Sequence, residues 1–368
     1  MTTRRPPAFT PPPETVSNRI AELTQEVASL KERLADRPVI WSGLRHTDNR
    51  RRILIDRGGL IDTIPLPQSL SRDLAWHTDN RMGAVDAAFN PSIFQAAGRT
   101  WMLYRCECIP WFKFSKVAIV ELDALLCPIK ETNRLLDLPT DYDNYNAEDP
   151  RFIAQDGNSV FIAYNDGFRQ AIAELSIVDW RCLRSGLIKE VHGLRLREKE
   201  KNWTFTLQSG GKVATFSCDY SLHPHIELEV VLGESGAVAV VKRETQWACP
   251  WKNGEVRGGT GWFQWGSDLA TIFHSSLKIA DSRHGPVRQY SAGMLVKSGG
   301  RMSAISSQPI LLGEPGAPEE RPSQHQAVFP CGTIWQSGSL VVSYGLDDLH
   351  CALACWTRDE LSASLQSI

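Results

Sequence analysis

The segment Glu148–Arg151 places two carboxylates and a guanidinium around a proline. The proline excludes the α conformation at Asp149, so the segment is expected to be extended or turned. On an extended backbone, neighbouring side chains point to opposite faces, so only one acid can enter a given pocket while Arg151 pairs with the other. The alternative interpretation is a surface turn with an ion pair.

A second group of chemically capable residues lies about 50 residues further along the chain. Lys201–Trp203 supplies a cation, an amide and an aromatic ring in succession, and Tyr220–His225 adds two imidazoles. Lysine and histidine can bind an anion such as phosphate, and tryptophan and tyrosine can stack on the apolar face of a sugar. His223 and His225 alternate faces on an extended strand and have no carboxylate at matching spacing, so we expect no metal.

Arg257–Gly261 is a glycine-rich turn that can bring backbone N–H groups close to a ligand. It lacks the G-x-G-x-x-G spacing of a dinucleotide fingerprint, and Gly210–Lys212 lacks the P-loop spacing. The sequence also contains no G-x-S-x-G elbow. These motifs therefore indicate hairpin or ligand turns and do not support a dinucleotide enzyme, a P-loop protein or an α/β-hydrolase.

The elements that must position these residues are short strands in a recurring arrangement. A turn containing glycine or serine precedes a hydrophobic strand and then a polar residue, and a second strand-like run follows. The copies are Gly98–Cys106, Gly157–Asp166, Gly210–Asp219, Gly266–Ser275 and Gly338–Asp347. Five units of this length predict an all-β fold, a five-bladed β-propeller, in which each blade buries its faces against its neighbours. A β-sandwich is the structural competitor.

Polar residues at the ends of these repeats are expected to meet at the mouth of the propeller channel. A ring of placed polar groups suits a polyhydroxylated ligand, because each hydroxyl requires a partner. The alternative is ordinary capping of strand ends. The residues are Arg105, Asn165, Asp166, Ser217, Asp219, His274, Asp347 and Asp348.

The N-terminal region has a different pattern. Residues 1–14 are proline-rich and are expected to be a disordered tail. Apolar residues at steps of four and three from Val16 to Leu34 predict a helix over 15–36, followed by the propeller over 40–368. The heptad spacing suits a homo-oligomeric coil, and the alternative is a helix packed on its own domain.

Composition excludes several classes of protein. Forty basic and 42 acidic residues give a net charge of −2, so no basic field exists to hold nucleic acid. No apolar run approaches the roughly 20 residues of a membrane span or resembles a signal peptide, so we expect a cytoplasmic protein. The nine cysteines form no paired C-x-x-C modules, which argues against a disulfide framework and structural zinc. No cofactor is expected.

The order of motifs resembles the five-bladed propeller family of inverting mannoside phosphorylases and β-1,2-mannosidases. The resemblance covers most of residues 88–356, and the chain looks like a divergent member. The landmarks are Asn90-Pro91, Tyr104-Arg105, Glu148–Arg151, Lys201-Asn202, His274, Val328–Gly332 and Tyr344–Asp348.

The resemblance implies that Asp149 is the proton donor and that Arg105 and Asp348 hold the donor sugar. Lys201 and Asn202 are implied to lie near the attacking anion or acceptor. The family's His-Arg-Pro segment, whose arginine holds phosphate, is replaced here by Phe216–Asp219. Arg257, His223 or His225 is the expected substitute.

The leading prediction is an enzyme that breaks or forms a β-mannoside-like bond with inversion, as a phosphorylase or related glycosyltransferase. The expected partner is an oligosaccharide or a sugar phosphate. The alternatives are a glycoside hydrolase of the same family and a non-catalytic glycan-binding propeller made multivalent by the helix over 15–36. The remaining residues expected to bind substrate are Asn90, Glu148, Arg151, Trp203, His274 and Tyr344.

Overall fold

The computed structural model describes residues 24–25, 85–108, 114–140, 146–281, 285–313, 327–346, 348 and 350–368. The chain divides into two compact units, Met1–Arg45 and His46–Ile368. In the first unit, Thr24 and Gln25 are helical and exposed. The rest of the predicted helix over 15–36 and the predicted tail over 1–14 lie outside the described residues.

The second unit contains five mainly antiparallel sheets, which are the blades of a propeller. Blade 1 consists of β1 (Val85–Ala96), β2 (Arg99–Cys108), β3 (Phe114–Leu122) and β4 (Pro128–Leu135). Blade 2 consists of β5 (Glu148–Asp156), β6 (Ser159–Asn165), β7 (Gln170–Ser176) and β8 (Cys182–Leu187). Blade 3 consists of β9 (Val191–His192), β10 (Thr204–Ser209), β11 (Ala214–Leu222), β12 (His225–Gly233) and β13 (Gly236–Thr245).

Blade 4 consists of β14 (Phe263–Trp265), β15 (Asp268–Asp281), β16 (Gly285–Ser298), β17 (Arg301–Ser306) and the short β18 (Leu311–Leu312). Blade 5 consists of β19 (Val328–Gln336), β20 (Ser339–Leu346) and β21 (His350–Thr357). Helix α1 (Arg358–Ser364) follows, and β22 (Leu365–Ser367) returns to pair with β17 of blade 4. The predicted all-β, five-bladed propeller is confirmed.

The strands nearest the propeller axis are the first long strands of the blades. β1, β5 and β19 contact one another, and β5 also contacts β10. In blade 4, residues 257–260 take this place, because Arg257 and Thr260 pair with β15 through His274 and Ile272. The predicted repeat strands are β2, β6, β11, β15 and β20. In the order of pairing within each sheet, each is the second strand counted from the axis, which we call the second strand of its blade.

Second strands read as continuous apolar runs because both of their faces are buried. All residues of β6 are buried. Val160 and Ile162 pack in one core cluster, whereas Phe161 and Ala163 pack in another. The hairpin before β2 is a tight turn in which Ala97 and Gly98 both have positive φ, as two-residue hairpin loops with matching twist require.

The C-terminal helix α1 begins with a capping box. The Thr357 hydroxyl accepts from the Glu360 N–H, and the Glu360 side chain accepts from the Thr357 N–H. The Arg358 guanidinium lies 4.8 Å from the Trp265 ring and 5.1 Å from the Trp335 ring, which joins blades 4 and 5. In the described part of the chain, no helix is long and apolar enough to cross a membrane.

Candidate active site at the channel mouth

Arg105 is the centre of a buried charge network where the inner strands begin. Its Nη1 and Nη2 donate to Glu148 Oε2 and Oε1, each at 3.2 Å, and Nη1 also donates to Asp149 Oδ1 at 3.2 Å. Lys201 Nζ lies 2.5 Å from Glu148 Oε2 and 3.5 Å from Asp149 Oδ2. Four residues expected at the site therefore meet, although they come from three separate parts of the chain.

Both acids of the Glu148-Asp149 pair contact the same two cations, which differs from the expected extended geometry with alternating side chains. The strand register shifts between Glu148 and Arg151, and Asp149 has φ 52°. This bulge turns Asp149 to the same side as Glu148. β1 has an equivalent shift at Asn90, also with φ 52°, and Asn90 Nδ2 donates to Asp149 Oδ1 at 2.7 Å.

Left-handed backbone at polar residues recurs around this network. Asn202 has φ 70° and Asp348 has φ 52°, in addition to Asn90 and Asp149. Asparagine and aspartate are the non-glycine residues that tolerate this region best, and such backbone strain concentrates at functional sites. The four side chains are all among those expected to bind substrate or transfer a proton.

The two cations keep Asp149 ionised. Burial by itself raises the pKa of Asp149, but Lys201, Arg105 and the hydrogen bond from Asn90 together hold that pKa well below its usual range. Burial lowers the pKa of Lys201, and the carboxylates of Asp149 and Glu148 more than reverse this, so that Lys201 stays charged. In this structure Asp149 is therefore an oriented carboxylate, the state of a proton acceptor.

Asp348 has the opposite tendency. Burial raises the pKa of its carboxyl, Arg105 lowers it, and the negative charges of Asp149 and Glu107 raise it further. The net direction is upward, so Asp348 takes up a proton more readily than Asp149. The pKa values of these two carboxyl groups are thus shifted in opposite directions, which is typical of acid–base centres.

Arg151 contacts carbonyl groups rather than the acid with which it was expected to pair. Nη1 donates to Trp203 O at 3.2 Å, and Nη2 donates to Asn202 Oδ1 at 3.3 Å and to Gly258 O at 3.5 Å. The guanidinium carbon lies 5.2 Å from the centre of the Phe329 ring. Arg151 therefore joins the inner segments of blades 2, 3 and 4 and fixes the amide of Asn202.

Two aromatic residues expected to contact sugar are part of the hydrophobic core instead. Trp203 is 1% exposed and donates from Nε1 to Glu200 Oε2 at 3.2 Å. Tyr344 is fully buried in the cluster between blades 4 and 5. The sequence reveals their aromatic character but not that neighbouring blades cover their rings.

His274 is a neutral imidazole at the mouth. Burial, together with the positive charges of Arg151 and Arg257, lowers the pKa of His274 to about 3. Nδ1 lies 2.9 Å from Gly258 O, so the neutral ring donates there and leaves Nε2 as an acceptor. His274 is 3% exposed, and its contact with a sugar hydroxyl stays a prediction.

The three residues considered as substitutes for the phosphate-binding arginine are engaged or displaced. His225 is buried, and its Nε2 lies 2.6 Å from Asp219 Oδ1. His223 is exposed and packs edge-on against Trp247. Arg257 donates to Glu255 Oε2 from Nη2 at 2.6 Å and from Nε at 3.0 Å.

Other repeat-end residues cap strands and loops rather than face the network. Asn165 Nδ2 donates to Glu200 O, and Asp166 Oδ1 accepts from the N–H groups of Phe168 and Arg169. Ser217 donates to Glu227 at 2.9 Å. Of the eight residues expected to form a ring, Arg105, His274 and Asp348 belong to the site, and Asp347 lies outside the described residues.

Three residues that contact the candidate site were not predicted from the sequence: Glu107, Ser115 and Tyr290. Glu107 is 4% exposed and accepts from Arg105 Nη2 at 3.4 Å, while Ser115 Oγ accepts from Arg105 Nε at 2.9 Å. Glu107 lies two residues after Arg105 on β2, so the period-2 alternation of the strand carried this signal. Tyr290 stacks on His274 with ring centres 6.4 Å apart, and only the folded sheet brings it there.

Within the described ranges, no group of three or more His, Cys, Asp or Glu side chains is arranged to hold a metal ion. The described cysteine side chains, eight in number, are free thiols. The side chains that meet in the candidate site are carboxylates, cations, an amide and a neutral imidazole.

No protein-family model and no curated protein sequence matches this chain. Solved structures do. A β-1,2-mannobiose phosphorylase from Listeria innocua, in complex with β-1,2-mannobiose, is 14% identical, with a TM-score of 0.54 over 78% of this chain and 94% of that one. A mannose phosphorylase from Leishmania mexicana, in complex with phosphate, is 15% identical, with a TM-score of 0.51 over 77% and 88%.

A third structure comes from work on the GH130 family of mannoside phosphorylases, which contains hydrolases that target β-1,2-mannosidic linkages in Candida mannan. It is 13% identical, with a TM-score of 0.55 over 74% of this chain and 84% of that one. At these identities the likeness concerns the fold, and it agrees with the resemblance found in the sequence motifs. The chain has the five-bladed propeller fold of mannoside phosphorylases and glycoside hydrolases.

Proposed function

We propose that this protein is an enzyme that breaks or forms a β-mannoside-like glycosidic bond with inversion, with Asp149 as the group that transfers the proton. The observation that carries the proposal is the Glu148-Asp149 pair held by Arg105 and Lys201 at the mouth of a propeller of this fold. Asn90, His274 and Asp348 supply the polar groups for a sugar.

The proton steps follow from the position of Asp149. In bond formation, the acceptor hydroxyl gives its proton to Asp149 while its oxygen bonds to the sugar C1 and the leaving group departs with the electron pair. In cleavage, a protonated Asp149 gives its proton to the leaving oxygen while the nucleophile attacks the opposite face of C1, and a water or sugar hydroxyl nucleophile releases its own proton to solvent. No covalent sugar–enzyme intermediate is formed. The ionised resting state of Asp149 matches bond formation, and cleavage requires Asp149 to take up a proton first.

The nucleophile is expected to be a sugar hydroxyl or water rather than phosphate. Lys201 is neutralised by two carboxylates, Arg257 by Glu255, and His225 is buried against Asp219. Hydrolysis is therefore the second candidate. A phosphorylase would need an anion to displace one of these internal partners.

The test is mass spectrometry of products from manno-oligosaccharides with and without phosphate, and from mannose 1-phosphate plus an acceptor. Growth of the acceptor chain indicates glycosyl transfer, and free mannose released without phosphate indicates hydrolysis. Release of a sugar phosphate only when phosphate is present indicates a phosphorylase. Asp149→Asn is expected to lower turnover by about 10²- to 10⁴-fold. The exposed Asp179→Asn serves as the control.

Unchanged turnover in Asp149→Asn contradicts the role of Asp149. Sugar binding by calorimetry without turnover under any of these conditions supports the alternative of a non-catalytic glycan-binding propeller.

A further inference from the structure

A small polar cleft opens beside Lys201. The connection from β9 to β10, the connection from blade 3 to blade 4 and the end of β11 form its walls. Only one aliphatic side chain, Val256, lines it. Its charged residues are Arg197, Lys199, Lys201, Arg257, Glu200 and Glu255, so cations exceed carboxylates by two.

These charges are distributed unevenly along the cleft. At its inner end, Lys201 is already paired with Glu148 and Asp149, and Glu200 is buried with 3% exposure. At its outer end, which we call the rim, the single carboxylate of Glu255 lies 2.6 Å from Arg257 Nη2 and 3.8 Å from Arg197 Nη2, so one negative charge is shared among three cations. The rim cations are Arg197, Lys199 and Arg257. The inner end is therefore electronegative and the rim electropositive.

The rim is a built surface rather than a loose chain. Glu200 accepts hydrogen bonds from the Arg197 N–H, from the Tyr220 hydroxyl at 3.1 Å and from Trp203 Nε1 at 3.2 Å. Arg169 Nη1 donates to the carbonyl oxygens of residues 197 and 198 at 3.1 and 2.8 Å. Because the backbone that carries the rim cations is fixed, little ordering is required when an anion binds.

We propose that this cleft binds a negatively charged acceptor sugar, with its anionic group on the rim cations and its neutral ring beside Lys201, whose Nζ lies 3.5 Å from Asp149 Oδ2. A sugar phosphate ester or a uronic acid carries such a group. A free inorganic phosphate at the inner end meets the carboxylates of Glu148, Asp149 and Glu200 instead. The inference rests on the proposed function, because it names the acceptor of the same site.

The test is calorimetry on the full chain at low salt with mannose, mannose 6-phosphate, glucuronate and inorganic phosphate. Mannose 6-phosphate is expected to bind at least about tenfold more tightly than mannose, and added salt should reduce the difference, because exposed charges are screened. Comparison with glucuronate separates a phosphate-selective rim from a general anion site.

Lys199→Glu and Arg197→Glu are each expected to weaken binding of mannose 6-phosphate about tenfold and to leave mannose binding unchanged. Both side chains are exposed, so the variants should fold. Lys212→Glu, an exposed lysine on the β10–β11 hairpin, is the matched control. Equal affinity for mannose and mannose 6-phosphate, absence of binding by either charged sugar, or equal effects of Lys199→Glu and Lys212→Glu overturns the inference.

This outcome is separable from that of the proposed function. Tight binding of mannose 6-phosphate that depends on the rim cations, without turnover, would support the anion site and contradict the proposed enzymatic activity. Turnover that depends on Asp149 but not on the charge of the acceptor would support the enzymatic activity and contradict the anion site.

Discussion

Replacing Lys201 with methionine should move the pH dependence of cleavage upward, because Lys201 is the strongest influence holding the Asp149 pKa down. The Nζ–Oδ2 distance of 3.5 Å corresponds to about 5 kcal/mol of attraction at an effective dielectric constant near 20. At about 1.4 kcal/mol per pKa unit, this sets an upper limit of roughly 3.5 units. A third of the Lys201 side chain is exposed, so solvent screening reduces the expected shift to about 1–2 units.

The sign follows from the proton that cleavage requires. A carboxyl with a lowered pKa is protonated only at low pH, so kcat/KM for cleavage should fall as the pH rises above that value. Without Lys201 the pKa of Asp149 rises, and the fall in kcat/KM should begin about 1–2 pH units higher. The assay is a pH profile of kcat/KM on the oligosaccharide that the protein is found to cleave.

Lys212→Met removes an exposed lysine outside the site and is the control. NMR titration of the labelled Asp149 carboxyl carbon gives the same information without substrate. An alkaline limb that stays in place in Lys201→Met, or moves to lower pH, would falsify the assignment of Asp149 as the proton donor held by Lys201.

Three further variants test the supports of the site. Asp219→Ala leaves His225 and Lys297 without their buried carboxylate and should lower the free energy of unfolding in urea by about 3–5 kcal/mol. Since the pKa of Asp219 is lowered, the stabilisation by its carboxylate should be present above about pH 4 and fade as the pH falls. An Asp219→Ala unfolding curve like that of the native chain would show that these contacts do not stabilise the fold. Tyr290→Phe removes a hydroxyl beside His274 and should raise KM about 2- to 10-fold with little change in kcat. An unchanged KM would show that this hydroxyl does not bind the substrate. Gly345→Ala places a Cβ 1.9 Å from Asn90 Oδ1, so it should displace Asn90 from Asp149 and lower both turnover and melting temperature; full activity shows that the contact is dispensable.

The fold was predictable because the second strand of each blade is buried on both faces. β6 and β20 read as unbroken apolar runs after a glycine turn, and five such signals specify five blades. The first strands were not predictable in the same way. β1 and β5 contain proline and register shifts, so they lack a clean strand pattern, yet they lie nearest the axis.

Contacts that follow from the charge of the residues were predictable, whereas contacts that depend on which side chains the fold buries were not. Arg105, Asp149 and Lys201 meet as the motif resemblance implied, because oppositely charged groups in a channel mouth must pair. His225 was unpredictable as a buried hydrogen-bond partner, since Asp219 lies across a hairpin in an otherwise ordinary strand. The covered ring of Trp203 likewise depends on Glu200 and Tyr220, whose roles appear only in the folded chain.

The charge network itself favours a reaction with a positively charged transition state. Arg105 and Lys201 are surrounded by four carboxyl groups, those of Glu107, Glu148, Asp149 and Asp348. The surplus of acids explains why the pKa of Asp348 is raised, whereas Lys201, Arg105 and the hydrogen bond from Asn90 hold the pKa of Asp149 down. Glycosidic bond cleavage develops positive charge on the sugar ring, and fixed carboxylates around the ring stabilise that charge without reorganisation. The same surplus opposes a small free anion at the inner end of the cleft. We therefore expect the nucleophile to be a hydroxyl, either from water or from a sugar whose charged group lies on the rim cations.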